Sequence, residues 1–151
     1  METVTWVPAR MPEPLLQELY WPDAWKVLTI CVFLNCTQRK QVEPMIDAFF
    51  EKFSSPHMYV EAYEKNRLEI IEMIRPLGFF NRRSERLYKL SIAISNSWND
   101  VRDLPGVGEY AARVYEMLFL GKFGDTPPND HATADYYWFY KENNSNKKIL
   151  L

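Results

Sequence analysis

The stretch Leu104-Pro105-Gly106-Val107-Gly108 lies between two segments whose apolar residues recur at helical spacing. Its two glycines allow left-handed backbone conformations and let a ligand approach the peptide groups closely. If the next helix begins at Gly108, its first amide groups lack intrahelical partners and point outward, as in helix N-termini that bind phosphate. Leu104 and Val107 would anchor such a hairpin in the core. An ordinary helix–helix turn is the alternative interpretation.

Helical spacing continues on both sides of this hairpin, and the sequence shows no long alternation of polar and apolar residues. We therefore predict an all-α fold of many short helices. The predicted helices span residues 13–21, 24–35, 66–75, 81–97, 108–120 and 130–141, and one more follows the polar residues 35–41 and runs through Phe50 and Phe53. Asp23 and Ser55 are expected to act as helix N-caps, the latter followed by a proline at the first helical position. Asn66 and Glu69 have the spacing of a capping box.

The composition favours one compact domain. Hydrophobic residues make up 47% of the 151 residues and aromatic residues 15%, which is enough for a packed core and too much for a disordered chain. We expect an irregular segment over residues 1–14 and a single domain of two helical lobes over residues 15–151. The N-terminus has no signal-peptide pattern, and no apolar run reaches membrane-spanning length, so no membrane partner is expected.

Charge and cysteine content narrow the classes of function. The net charge is −2, but basic residues outnumber acidic ones in the second half of the chain, which is therefore the better candidate for facing an anion. Cys31 and Cys36 alone cannot ligate an iron–sulfur cluster or a structural zinc. No metal site is expected, and an intracellular, reducing compartment is the default expectation.

An aspartate follows the hairpin after about twenty residues, in Pro127-Pro128-Asn129-Asp130-His131. This combination resembles the endonuclease III superfamily of helix-hairpin-helix DNA glycosylases, and in particular the glycosylase domain of its methyl-CpG-binding mismatch branch. The resemblance implies a two-lobed, all-α fold with the active site in the cleft between the lobes, without a methyl-CpG-binding module or an iron–sulfur cluster. The matching stretches, between about residues 15 and 142, are Gln17, Trp25-Lys26, Phe33-Leu34-Asn35, Pro76-Leu77-Gly78, the hairpin with Tyr110, and Asp130-His131.

The resemblance implies that Asp130 and Tyr110 are the catalytic residues. A carboxylate beside the sugar stabilises the oxocarbenium-like state and can orient or deprotonate a water. A simple helix N-cap is the alternative role for Asp130. Tyr110 stands where bifunctional relatives have a lysine that attacks the sugar as an amine. Because tyrosine cannot form a Schiff base, we expect a monofunctional enzyme that leaves an abasic site in an intact strand.

The same resemblance predicts a base-binding pocket. Tyr110 lines the pocket of the flipped base in the relatives, and Gln17 matches a glutamine whose amide reads that base. An amide offers both a donor and an acceptor, which suits a uracil-like imide. Leu16 and Leu34 would form apolar walls. An exposed position for Gln17, and simple core packing for the other residues, are the alternatives.

Two predicted contacts concern the hole that a flipped base leaves in the DNA stack. Phe79 matches a hydrophobic wedge position in the relatives, with burial in the core as the alternative. Cys36 stands where they have an arginine that fills the vacated space. Because a thiol is too short to span that space, Gln38 or Arg39 is expected to substitute.

The remaining predicted contacts are to DNA phosphates. The hairpin residues Leu104, Gly106, Val107 and Gly108 would hold one phosphate. Glu109 departs from the relatives, which often have a basic residue there, and its negative charge is expected to weaken DNA binding. Solvated helix faces are the alternative for the candidate basic residues, which are Arg39, Lys40, Arg82, Arg83, Arg86 and Lys89.

These features lead to the hypothesis of a cofactor-free, monofunctional glycosylase that flips thymine or uracil, opposite guanine, out of double-stranded DNA. We expect a monomer located with genomic DNA, in the nucleus of a eukaryote or the cytoplasm of a prokaryote. The resemblance also allows a structural monovalent cation at the hairpin carbonyls. Two alternatives stay open. One is a glycosylase for another lesion, such as adenine opposite oxidised guanine, and the other is a non-catalytic DNA-binding module that retains the hairpin.

Overall fold

The computed structural model describes residues 6–149, with side chains described through residue 143. Residues 1–5 of the predicted irregular segment and the last two residues of the predicted domain lie outside the described residues. The described part contains no strand, so the all-α prediction is confirmed. Its α-helices are α1 (Ala24–Leu34), α2 (Arg39–Lys52), α3 (Pro56–Lys65), α4 (Arg67–Ile74), α5 (Phe80–Ile94), α6 (Glu109–Tyr115) and α7 (His131–Ile149).

Shorter helical turns complete the described part. Turns of 3₁₀ type form at Leu16–Tyr20, Arg75–Leu77 and Val101–Asp103, and a π-helical turn, Glu116–Leu120, continues α6. The helix predicted over 13–21 is therefore only a 3₁₀ turn, and the one predicted over 108–120 changes type after Tyr115. None of the helices within residues 6–149 combines the length and the apolar composition that crossing a bilayer requires.

Helix α1 is the centre of the fold. Its side chains are buried on nearly all faces, and it packs against α2, α5 and α6. The Phe33 ring meets the Phe49 ring of α2 edge to face with 5.0 Å between centroids, and the Trp25 indole donates a 2.8 Å hydrogen bond to Ser91 of α5. Because α1 is fixed by apolar burial on several sides, the position of its C-terminal end is well defined.

The C-terminal end of α1 is held by Arg83 of α5. Only 4% of Arg83 is exposed, and its guanidinium donates hydrogen bonds to the carbonyl oxygens of Phe33 and Asn35 at 2.9 and 2.8 Å and of Gly78 at 2.8 Å. These bonds satisfy carbonyl groups that a helix end leaves without partners. The prediction that Arg83 contacts DNA phosphate is therefore wrong, because its donors are already used inside the protein.

Local capping signals gave mixed results. Asp23 accepts a 3.0 Å hydrogen bond from the Lys26 amide, and Ser55 accepts one of 3.2 Å from the Met58 amide, so both predicted N-caps are confirmed. The capping box of Asn66 and Glu69 is wrong. Asn66 also ends α3 and makes no side-chain capping bond, while the Glu69 carboxylate forms an ion pair with Lys52 of α2.

Candidate active site

A cavity of 690 Å³ opens where the 3₁₀ turn Leu16–Tyr20, the end of α1 and the starts of α6 and α7 meet. Gln17, Tyr110 and Asp130 all line it, although they lie far apart in the sequence. Leu16 and Leu34 supply apolar wall. The other lining residues are Leu15, Asn35, Cys36, Thr37, Gln38, Arg39, Asn129, His131 and Ala132. Residues predicted separately as catalytic and base-binding therefore share one cavity.

Asp130 is the N-cap of α7 and also faces the cavity. Its Oδ2 accepts a 3.1 Å hydrogen bond from the Thr133 amide and lies 3.2 Å from the Thr133 hydroxyl. Within the described part of the chain, no hydrogen bond reaches the other carboxylate oxygen, Oδ1. The two interpretations of Asp130 are thus compatible, because one oxygen fixes the side chain to the helix and the other is left for a ligand.

Gln17 is buried at the base of the cavity, with 2% of its surface exposed. Its Nε2 donates a 2.7 Å hydrogen bond to the Tyr110 hydroxyl and lies 3.7 Å from the Cys31 sulfur. Its Oε1 accepts no hydrogen bond within the described residues. The alternative of an exposed Gln17 is therefore wrong, and the amide of this cavity-lining residue keeps an acceptor free within the described part of the chain.

Burial sets the protonation of the groups around Gln17. Burial raises the pKa of Tyr110 well above its ordinary value, and the nearby Cys31 and Asp130 raise it further against the opposing effect of the Gln17 hydrogen bond. Burial also raises the pKa of the Cys31 thiol to about 12. Near neutral pH both groups are therefore uncharged, so Tyr110 keeps a hydroxyl proton to donate, and Cys31 is not a nucleophile.

Two residues, Cys36 and Phe79, have left-handed backbones without being glycine. Cys36 has φ 65° and Phe79 has φ 47°, conformations that cost free energy in most side-chain-bearing residues. Cys36 is exposed, and Phe79 is 62% exposed, so burial of Phe79 is ruled out. The bonds from Arg83 to Asn35 and Gly78 end at the residue that precedes each of them. One buried arginine therefore supports both loops.

The hairpin is a close turn packed against α5. Leu104 is buried, and its carbonyl accepts a 3.2 Å hydrogen bond from the Val107 amide. Gly106 has φ 82°, and a Cβ there would lie 2.6 Å from Cγ of Arg86. A side chain at Gly106 is therefore disfavoured both by the backbone conformation and by the contact with Arg86. Helix α6 begins directly after Gly108.

The negative charge of Glu109 is offset by an arginine that the sequence did not single out. Arg102 donates to Glu109 at 3.1 Å and to Glu116 at 2.7 Å. The negative charge beside the hairpin is therefore paired, and the repulsion expected from Glu109 is reduced. Among the other basic candidates Arg86 is half-buried, and the exposed ones are Arg39, Lys40, Arg82 and Lys89. Arg39 pairs with Glu43 at 2.9 Å, and Lys89 pairs with Glu85 at 3.0 Å.

The sequence did not indicate a role for a second arginine either. Arg113, one turn after Tyr110 on α6, donates from Nη2 to the carbonyl oxygens of Phe123 and Thr126 at 2.9 and 2.7 Å. These residues belong to the segment that leads to Asp130. No sequence signal identifies such bonds, because their acceptors are backbone atoms. Among the residues that the structure describes, no cluster of three or more His, Cys, Asp and Glu side chains is arranged to hold a metal ion.

Comparisons with known proteins agree on one class of relative, although no protein-family model matches the chain. A methyl-CpG-binding domain protein 4-like protein of Arabidopsis thaliana is 39% identical over 137 residues, covering 90% of this chain and 30% of the relative. A thymine/uracil-DNA glycosylase of Pyrobaculum aerophilum is 32% identical over 108 residues, covering 66% of this chain and 46% of the relative. The chain thus spans less than half the length of these curated relatives.

A solved structure shows the same fold. The structure of a thermostable thymine-DNA glycosylase superimposes with a TM-score of 0.61 and 26% sequence identity, covering 70% of this chain and 51% of that chain. Similarity in sequence and in three dimensions therefore leads to the same group of proteins.

Proposed function

Because the chain belongs to the superfamily of helix-hairpin-helix DNA glycosylases, we propose that it removes thymine or uracil mispaired with guanine from double-stranded DNA. The observation that carries the proposal is the 690 Å³ cavity with Gln17, Tyr110 and Asp130 on its walls. An amide, a neutral phenol and a carboxylate are the groups that reading a pyrimidine and breaking its bond to the sugar require.

Recognition of the base follows from the hydrogen bonds that the cavity residues leave open. Nε2 of Gln17 donates to Tyr110, so Oε1 can accept a hydrogen bond from an N–H group of the base. Thymine and uracil carry such a proton on N3, whereas N3 of cytosine is an acceptor. The Tyr110 hydroxyl still has its own proton for a carbonyl oxygen of the base. A site of this kind rejects cytosine because two acceptors would face each other without a proton.

Asp130 performs the chemistry at the sugar. As the bond between C1′ and the base nitrogen breaks, the electron pair leaves with the base and positive charge develops on the deoxyribose. The carboxylate stabilises that charge and takes one proton from the water whose oxygen bonds to C1′. The base takes up a proton from solvent. The Thr133 amide holds the carboxylate in place during this step.

The reaction ends at the abasic site. Cleavage of the strand by β-elimination at the abasic sugar proceeds through a Schiff base with an amine, and none of the residues that line the cavity is a lysine. Tyr110 occupies the position from which such an amine would act. We therefore propose a monofunctional enzyme that acts as a monomer on genomic DNA.

The proposal is tested with duplexes that carry a single G·T, G·U or G·C pair, incubated with the protein and treated with hot alkali. Breaks at G·T and G·U that appear only after alkali are expected. Asp130→Asn should abolish them and keep DNA binding, while Asp135→Asn, on the same helix and outside the cavity, should be fully active.

Other outcomes identify the alternatives. Binding without breaks on any mismatch would mean a non-catalytic DNA-binding module. A further duplex with adenine opposite oxidised guanine tests the other lesion, and breaks at that adenine alone would assign it as the substrate. Breaks without alkali would contradict the monofunctional mechanism.

A further inference from the structure

Arg113 connects the helix that carries Tyr110 to the segment that carries Asp130. Its guanidinium donates two hydrogen bonds from one nitrogen, to Phe123 and to Thr126. Tyr110 and Arg113 are three residues apart and therefore lie on the same side of α6. A cavity of 300 Å³ has Tyr110, Arg113, Thr126 and Asp130 among its lining residues, so these groups border one space beside the base-binding cavity.

The segment that Arg113 holds turns sharply next to its guanidinium. Gly124, between the two acceptor residues, has φ 72°, and a Cβ there would lie 3.8 Å from Nη2 of Arg113. A second bond fixes the same turn from the other side. The hydroxyl of Tyr137, a buried residue of α7, donates to the Gly124 carbonyl at 3.2 Å. The turn is thus attached to α6 and α7, two of the helices whose starts line the base-binding cavity.

The attachment reaches Asp130 through a stiff connection. Only Pro127, Pro128 and Asn129 separate Thr126 from Asp130, and each proline has a nearly fixed φ. Pro128 is buried. A displacement of Thr126 would therefore be passed on to the carboxylate rather than absorbed between them.

We propose that Arg113 is a positioning residue, which sets the distance between the base held at Tyr110 and the carboxylate of Asp130. The inference rests on the proposed glycosylase function. Arg113 itself touches neither base nor sugar in this scheme, and it acts only through the turn at 123–126. Small errors in such a distance lower the reaction rate strongly, because a shift of about 1 Å can slow a reaction by roughly a hundredfold.

The test compares single-turnover excision of uracil from a G·U duplex with the affinity for the same duplex, measured on variants in the Asp130→Asn background. Arg113→Met should slow excision by roughly 10- to 100-fold and leave the dissociation constant within about threefold. Arg113→Lys, which can keep one of the two bonds, should recover part of the rate. Tyr137→Phe should slow excision less, and its effect should be non-additive with that of Arg113→Met, because both bonds hold one turn.

Controls separate positioning from folding. Arg67→Met removes an exposed arginine of α4 that lines neither cavity, and it should excise at the wild-type rate. All rates are measured below the thermal unfolding temperature of each variant. If Arg113→Met does not fold, the same rates and affinities are compared for Arg113→Lys and Tyr137→Phe.

The inference would be overturned by folded variants that excise at the wild-type rate, or by a loss of affinity as large as the loss of rate, which would make Arg113 a DNA contact. Failure of the proposed function looks different, since the wild-type protein itself would then excise no base from any duplex.

Discussion

The side-chain amide of Gln17 donates a 2.7 Å hydrogen bond to the hydroxyl of Tyr110, 93 residues further along the chain. The bond joins the 3₁₀ turn at the start of the fold to the helix that follows the hairpin. It uses the amide nitrogen of Gln17 and leaves the amide oxygen without a hydrogen bond among the described residues. A single contact therefore determines which hydrogen-bonding pattern the cavity presents.

Tyr110→Phe is expected to slow uracil excision by roughly 10- to 100-fold, because the buried Gln17 amide loses its partner at a cost of about 1–3 kcal/mol and can rotate. Discrimination between uracil and cytosine should weaken at the same time. Single-turnover excision from G·U and G·C duplexes measures both effects. Tyr115→Phe, on the same helix and outside the cavity, is the control and should match the wild type. Unchanged discrimination in Tyr110→Phe would contradict this account of Gln17.

The two roles of Asp130 can be separated by two substitutions. Asn keeps an oxygen that can accept from the Thr133 amide, so Asp130→Asn should unfold in urea at nearly the wild-type midpoint. Asp130→Ala loses the cap and should be less stable by about 1 kcal/mol. Both variants should lack excision activity. A stable and fully active Asp130→Ala would leave this residue with neither role.

Arg83→Met should destabilise the fold by roughly 3 kcal/mol, because charge-assisted bonds to several buried carbonyl groups are lost together. The free energy of unfolding in urea is the measurement. Arg82→Met, at the neighbouring exposed position, should change it by no more than about 0.5 kcal/mol. If Arg82→Met lowered the free energy of unfolding more than Arg83→Met, the buried hydrogen bonds of Arg83 would contribute little to stability.

Phe79→Ala should slow excision from duplex DNA more than excision from single-stranded DNA, since a wedge is needed only where a base must leave a stack. Its thermal stability should be close to that of the wild type, because the ring is 62% exposed. Leu68→Ala, at a residue 66% exposed on α4, is the matched control. Equal slowing on both substrates would argue against a wedge.

Arg102→Gln should weaken DNA binding, because it leaves Glu109 unpaired beside the hairpin. The double variant Arg102→Gln with Glu109→Gln should recover most of the affinity, since the repelling charge is then gone. Fluorescence anisotropy at several salt concentrations measures the effect, which should shrink as salt rises. If the double variant binds as weakly as Arg102→Gln alone, Arg102 contacts DNA directly.

Local sequence patterns determined much of this protein. Helical spacing identified the all-α class, and the caps at Asp23 and Ser55 were readable because each bond spans only three residues. The hairpin could also be predicted from local sequence, because Gly106 has a left-handed backbone that few other residues adopt.

The site residues were predicted from the resemblance to known proteins and not from their spacing. Gln17, Tyr110 and Asp130 came from a match to a known superfamily, and their common cavity is a property of the folded chain. The sequence could not have located that cavity, because its walls come from distant segments.

Only the tertiary structure decided the roles of the arginines. Arg82 and Arg83 are neighbours of the same type in the sequence, yet one is exposed and the other is buried under the end of α1. Arg102 and Arg113 look like surface charges until their partners are seen. A cap or a turn depends on residues a few positions away, whereas the partner of a long side chain depends on which helices pack together. The sequence therefore determined most of the helices and the hairpin, and packing around α1 decided which arginines stay exposed and which are used for bonds inside the protein.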